Sequence, residues 1–305
     1  MANALILSGG SIRGAFQAGA IREVLKSGFK PDNIYGISVG SLNGTFLTYQ
    51  AGKKIKAHQN LDWAQISDEL INFWKQNIKK SDDVAVKRKV AELVGDIVNT
   101  SFRGLTSTDP IKNLIHNLFF KDKTPFQFAP NELTVGAVNM MTGGIEYANP
   151  ASDLFEHYLV ASTAIPLLMP IVSIPSPDDN GKIYPFTDGG IREVAPTRIA
   201  MGNPGNDKFV CICCQPTNLM LEKENFDYHS IFQMVERTLD ILVDEVVEND
   251  IFRLTSKFPE TVVIRPEVPI PLQLESFTSA DIASTIELGA EQAKKALQGV
   301  NFNIV

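Results

Sequence analysis

The chain has 305 residues, 44% hydrophobic, 21% charged and 9% aromatic, which is the composition of a folded globular protein rather than a disordered or fibrous one. Its formal net charge of −7 argues against general nucleic-acid binding, which needs a basic face. The four histidines and three cysteines show no paired zinc-ligand spacing, and no stretch approaches the roughly 20 apolar residues of a membrane span.

Ala4-Leu5-Ile6-Leu7 predicts a buried strand, stopped by the turn Ser8-Gly9-Gly10-Ser11. Ala15, Ala18, Ile21, Val24 and Leu25 recur at helical spacing, and Gly28 ends that helix. Ile34-Tyr35-Gly36 predicts a second strand, cut off at Ser38, with a helix over 39–50. Strand, glycine loop, helix, strand, tight turn, helix implies a parallel sheet with right-handed crossovers. Residues 53–123 read as a mostly helical insertion with no convincing strand, on the periods Ile66, Leu70, Trp74, Ile78 and Val86, Val90, Leu93, Val94. Thr108-Asp109-Pro110 marks a helix start within it. Strands resume at 133–138 and 144–148, a hairpin through Thr142-Gly143, and Ser152 is expected to cap a helix over 153–163. Further strands are expected at 171–174, 183–186, 209–214 and 261–264, and long helices after Tyr228 and Ser279. On its strand, Cys211 should share a face with Cys213 and oppose Cys214. The simplest organisation is one α/β unit spanning 1–305, with 216–305 helix-rich and of no evident role.

Gly36-Ile37-Ser38-Val39-Gly40 fits Gly-x-Ser-x-Gly between a strand and a helix. Such a turn holds its serine strained at a helix N-terminus, where the dipole favours negative charge. Gly36 and Gly40 give the turn its room. Only one strand pair precedes Ser38, unlike the α/β-hydrolase order, in which several strands come first. A histidine triad has little to draw on. His229 alone follows Asp188, in a polar stretch without a motif, and His116 and His157 fall on predicted helices.

Asp188 stands in Phe186-Thr187-Asp188-Gly189-Gly190 at a predicted strand end. A carboxylate beside a serine hydroxyl can act as base without an imidazole; the same dipeptide also serves as a plain Asp-Gly turn. The loop Ser8-Gly9-Gly10-Ser11-Ile12-Arg13-Gly14 offers backbone N–H groups at a helix N-terminus, a nest for phosphate or a developing oxyanion. It lacks a Walker ending and the spacing of a dinucleotide fingerprint.

These three pieces together resemble the patatin-like phospholipase family. Its pattern is Gly-Gly-Gly-x-Arg/Lys-Gly, then Gly-x-Ser-x-Gly, then a distant Asp-Gly-Gly/Ala. Ala161-Ser162-Thr163-Ala164-Ile165-Pro166 is similar to a further family segment, and Pro196 to its downstream proline. The resemblance covers roughly 4–200. It implies a three-layer α/β sandwich with a mainly parallel central sheet and a helical insertion after the nucleophile helix. It implies a Ser38–Asp188 dyad cleaving lipid acyl esters, an oxyanion hole from Gly9, Gly10, Ser11 and Ile12, and no metal or cofactor. Arg13 and Gly14 would support the loop, although Arg13 could also meet a lipid phosphate. Ser11 departs from the pattern by replacing the third glycine, which costs about 1 kcal/mol if the site needs φ > 0.

The segment 53–123 holds 13 Lys+Arg against 9 Asp+Glu, so the rest of the chain stands at −11. Lys79, Lys80, Lys87 and Arg88 are therefore candidates for contact with an anionic membrane, the alternative being a solvated helix face. The first ten residues lack the charged start of a signal peptide, so a cytoplasmic protein, peripheral to membranes if bound to them, is expected. A thioesterase or acyltransferase, and an inactive lipid-binding scaffold, are the competing readings.

Overall fold

Leu5 and Leu7 enter one apolar core and Ala4 and Ile6 another, so the first strand is buried on both faces and reads as an unbroken apolar run. The computed structural model describes residues 2–101, 103–176, 179–218 and 226–302. In chain order its strands are β1 (Ala2–Leu7), β2 (Asn33–Ile37), β3 (Val86–Lys87), β4 (Thr106–Ser107), β5 (Glu132–Asn139), β6 (Ile145–Ala148), β7 (Val172–Pro175), β8 (Ile183–Asp188), β9 (Asn206–Ile212) and β10 (Val262–Ile264). Its helices are α1 (Gly14–Lys26), α2 (Val39–Lys56), α3 (Trp63–Asn77), α4 (Val90–Val98), α5 (Asp109–Ile115), α6 (Phe155–Ser162), α7 (Thr197–Gly202), α8 (Ile231–Lys257) and α9 (Ser279–Ala296).

The main sheet runs β10-β9-β1-β2-β5-β8-β7, with β6 beside β5. From β10 to β5 every pairing is parallel, while β8 is antiparallel to β5 and β7 to β8. α1, α2, α3 and α9 cover one face through Phe16, Ile21, Phe46, Trp74 and Ile286. The C-terminal half of α8 covers the other through Val247 and Leu254, with Ala200 of α7. The result is the expected three-layer α/β sandwich.

The edge of β5 decides where the site lies. β6 takes one edge over Val135–Val138. On the other edge β2 pairs as far as Ile37 with Gly136, and β8 begins where β2 stops, Asp188 facing Ala137. β2 and β8 therefore meet C-terminus to C-terminus, one β5 residue apart.

Local details differ from expectation. Residues 53–123 contain a short antiparallel ribbon, Val86 opposite Ser107 and Lys87 opposite Thr106, so Val86 is extended and α4 starts at Val90. β-branched Val86 and Thr106 suit that pairing, and their separation in sequence hides it. Ser152 makes a turn, its Oγ accepting from Leu154 N–H at 3.2 Å, and α6 starts at Phe155 without a side-chain cap. The cysteines fall as expected, Cys211 and Cys213 toward α8 and Cys214 toward the α1 face.

Candidate active site

Ser38 occupies the single residue between β2 and α2 with φ 55° and ψ −126°. This conformation costs a non-glycine residue about 1–3 kcal/mol and is held by its surroundings. A Cβ on Gly36 would lie 2.6 Å from the Gly40 backbone, and one on Gly40 would lie 2.2 Å from Leu7 O, so both flanking glycines are obligatory. The Ser38 N–H donates to Ser162 Oγ at 2.9 Å, and Ser162 Oγ shares a hydrogen bond with Ser41 Oγ at 2.8 Å.

Asp188 closes β8 and is 6% exposed. Its N–H donates to Ala164 O at 3.0 Å, Thr187 Oγ1 donates to the same oxygen at 2.8 Å, and its Oδ1 accepts from Gly190 N–H at 2.7 Å. Burial pushes its carboxyl up to about 7, against the opposing pull of hydrogen bonding to the Ser38 hydroxyl and the Gly190 N–H. Residues 162–164 thus brace the serine through Ser162 and the aspartate through Ala164. The sequence marked this segment without suggesting what it does; a buried serine beside a strained turn was the available signal.

The glycine loop lies against the serine, since a Cβ on Gly9 would sit 3.2 Å from Ser38 Cβ. The Gly9 N–H is already committed to Val194 O at 2.9 Å, which narrows the expected anion nest. Gly10, Ser11 and Ile12 have no backbone acceptor for their N–H groups among the described residues, and all three line the cavity in front of Ser38. Ser11 has φ 53°, so the position does demand the left-handed conformation that a glycine takes freely. Gly10 packs so tightly on Cys214 that a Cβ would lie 2.3 Å from Cys214 Cβ.

Arg13 lines the cavity, but its hydrogen bonds are spent on the loop and on α8. Its Nε donates to Gly10 O at 3.1 Å and its guanidinium to Asp240 of α8 at 2.7 Å. Burial works against its charge, but Asp240 overcomes this and raises its pKa. Gly14 lets α1 pack on Val39 and Trp74.

Ser38 and Asp188 open into a cavity of about 780 Å³. It is lined by the glycine loop, by Ile165, Pro166 and Leu168, and by α8 and residues 268–276. These last two come from the C-terminal part that carried no motif. None of the four histidines lines the cavity. Among the basic residues of the insertion, Lys79 and Lys80 are exposed. Arg88 instead pairs with buried Asp96 at 2.6 Å, and Lys87 pairs with Glu275.

A family model of the patatin-like phospholipases matches residues 5–201. The chain belongs to the patatin-like phospholipase family. The match ends within α7, so it contains Ser38, Asp188 and the glycine loop but not the part of the cavity lining that comes from α8 and residues 268–276. A patatin-like chain acts on lipids, and this protein is accordingly a lipid hydrolase. Among solved structures it is similar to VipD from Legionella pneumophila, with 12% identity and a TM-score of 0.45, over 98% of this chain and 67% of that one. No curated protein matches it. No helix among the described residues is long and apolar enough to cross a membrane.

Proposed function

We propose that this protein is a serine lipid acyl hydrolase of phospholipase A type, working by a Ser38–Asp188 dyad. The observation that carries the reading is the end-to-end meeting of β2 and β8 on β5, which sets a strained serine against a buried carboxyl beside free N–H groups. In the first half-reaction Ser38 Oγ attacks the ester carbonyl carbon and its proton passes to Asp188. The N–H groups of Gly10, Ser11 and Ile12 receive the oxyanion, and the N-terminus of α2 adds its dipole. The tetrahedral intermediate collapses, the C–O bond to the lipid alcohol breaks, and Asp188 gives that oxygen the proton. In the second half-reaction Asp188 takes a proton from water, the hydroxide attacks the acyl-serine, and the proton returns to Ser38 as the fatty acid leaves. A carboxyl that titrates about 7 suits both roles at neutral pH.

The whole chain is read as one unit, with 53–123 as its helical insertion and 216–305 supplying part of the cavity lining. Exposed Lys79 and Lys80, with the exposed valines Val90, Val94 and Val98 on one face of α4, suit contact with an anionic membrane. Arg88 is left out of that surface by its pairing with Asp96.

The test is a fluorophosphonate label mapped to its residue, alongside p-nitrophenyl ester hydrolysis by wild type, Ser38→Ala and Asp188→Ala. The reading expects label on Ser38 and loss of turnover in both variants; label on any other serine overturns it. Comparison of phospholipid with acyl-CoA turnover then separates the lipase from a thioesterase.

A further inference from the structure

We infer that Arg237 on α8 is the head-group determinant of the cavity, binding the phosphodiester of a phospholipid whose ester lies over Ser38. This rests on the lipid-hydrolase reading of the same cavity and names a binding site within it.

The described cavity wall carries three carboxylates, Asp188, Glu236 and Asp240, and two cations, Arg13 and Arg237. Asp188 belongs to the dyad. Asp240 and Arg13 are tied to each other at 2.7 Å. Glu236 accepts from the Leu274 N–H at 3.1 Å, which fastens α8 to the 268–276 wall. Arg237 is left, making no hydrogen bond or close ion pair with any described residue and acting only at longer range on Asp244 of the same helix.

It is also half-buried and lines the same cavity as Ser38 and Asp188. A guanidinium partly withdrawn from water and given no acceptor is a cost to the fold that a bound anion removes. Its planar fork matches two oxygens of a phosphate better than it matches any neutral group. The remaining lining is largely apolar, with Ile165, Leu168, Leu239 and Val243 among it, and suits an acyl chain. A largely apolar cavity that holds the nucleophile and, among the described residues, one cation without a hydrogen-bonded partner fits a molecule that carries an acyl ester and an anionic centre a few bonds apart. A phospholipid has both, whereas a neutral glyceride has only the first. Arg13, the other cation of the wall, is not available for this task, because its charge is already met by Asp240.

The decisive experiment removes chemistry. In the Ser38→Ala background, binding of dihexanoyl phosphatidylglycerol and of dihexanoylglycerol is measured by titration calorimetry, with and without Arg237→Gln. We expect Arg237→Gln to weaken phospholipid binding about tenfold or more relative to the glyceride, the scale of one charge-assisted bidentate contact, and Arg237→Lys to retain an intermediate affinity. Equal binding of both lipids by the Ser38→Ala protein, or a phospholipid-to-glyceride ratio unmoved by Arg237→Gln, overturns the proposal. With Ser38 restored, the same ratio in kcat/KM should fall in Arg237→Gln, chiefly through KM. Selective binding with no turnover of either lipid would refute the hydrolase reading and leave the phosphate site standing; turnover of both with no effect of Arg237→Gln would do the reverse.

Discussion

Arg13 and Asp240 are 227 positions apart in the sequence and 2.7 Å apart in the structure. The pair joins the glycine loop to α8, so the loop's position depends on a helix outside the matched family region. Asp240→Asn leaves a largely buried guanidinium without its counter-charge. We expect about 2 kcal/mol of destabilisation, between the values for exposed and fully buried pairs. Ester hydrolysis should fall with it, while Asp240→Glu retains more of both; thermal unfolding and p-nitrophenyl ester kinetics read the two effects.

On the proposed dyad the activity should rise with pH through about 7, because Asp188 would have to be ionised to accept the Ser38 proton. Replacing it by asparagine should lower kcat by about 10²–10⁴-fold and abolish that limb of the profile. Stability moves in the opposite direction. A carboxyl raised by folding binds its proton more tightly in the native state, so stability is full below the unfolded carboxylate pKa and declines as pH climbs to about 7. Asp250, likewise pushed up to about 7 by burial first and Glu193 second, adds to the same decline. Denaturation at pH 5 and pH 8 should show a larger pH-dependent loss in wild type than in Asp188→Asn.

Ser11→Gly relieves a serine held at φ 53° and should stabilise the protein by about 1 kcal/mol. Its N–H is kept, so kcat should stay level or rise. A large drop in kcat would refute the oxyanion role given to this loop.

Ser162→Ala removes the acceptor of the Ser38 N–H and the partner of Ser41. The orphaned groups are buried, so we expect roughly 1–3 kcal/mol of destabilisation. A reduced rate of fluorophosphonate labelling at Ser38 would show that the elbow itself has loosened, beyond a general loss of stability.

Charge reversal at Lys79 and Lys80 should weaken binding to anionic vesicles with little change in melting temperature, since both are exposed. Arg88→Glu should behave differently. It sets a carboxylate beside Asp96, whose own pKa is held low first by Arg88 and then by Arg103, and should lower the melting temperature instead. Vesicle co-sedimentation and thermal unfolding together separate surface from scaffold.

The parts that were legible in sequence are those where backbone geometry dictates residue type. Gly36 and Gly40 are forced by contacts of their own backbones, and Asp188-Gly189-Gly190 by a turn at a strand end, so motif and geometry coincide. The part of the cavity lining that comes from α8 and 268–276 was not legible. Leu239 and Val243 look like any helix residues, and nothing in the local pattern of 268–276 says that it folds over Ser38. The commitment of Gly9 N–H to Val194 and of Arg88 to Asp96 was equally hidden, because both partners are distant or ordinary. Arg237 had no motif around it, and its lack of a hydrogen-bonded partner among the described residues emerges only once the neighbouring charges are paired.

The meeting of β2 and β8 along one edge of β5 places a limit on how this site can vary. Ile37, which carries Ser38 on its C-terminal side, and Asp188 occupy consecutive rungs along β5 rather than independent loops. One residue added or lost within β8 would turn Asp188 to the opposite side of the sheet and so break the proposed dyad. The strands beneath the site must therefore keep their residue count.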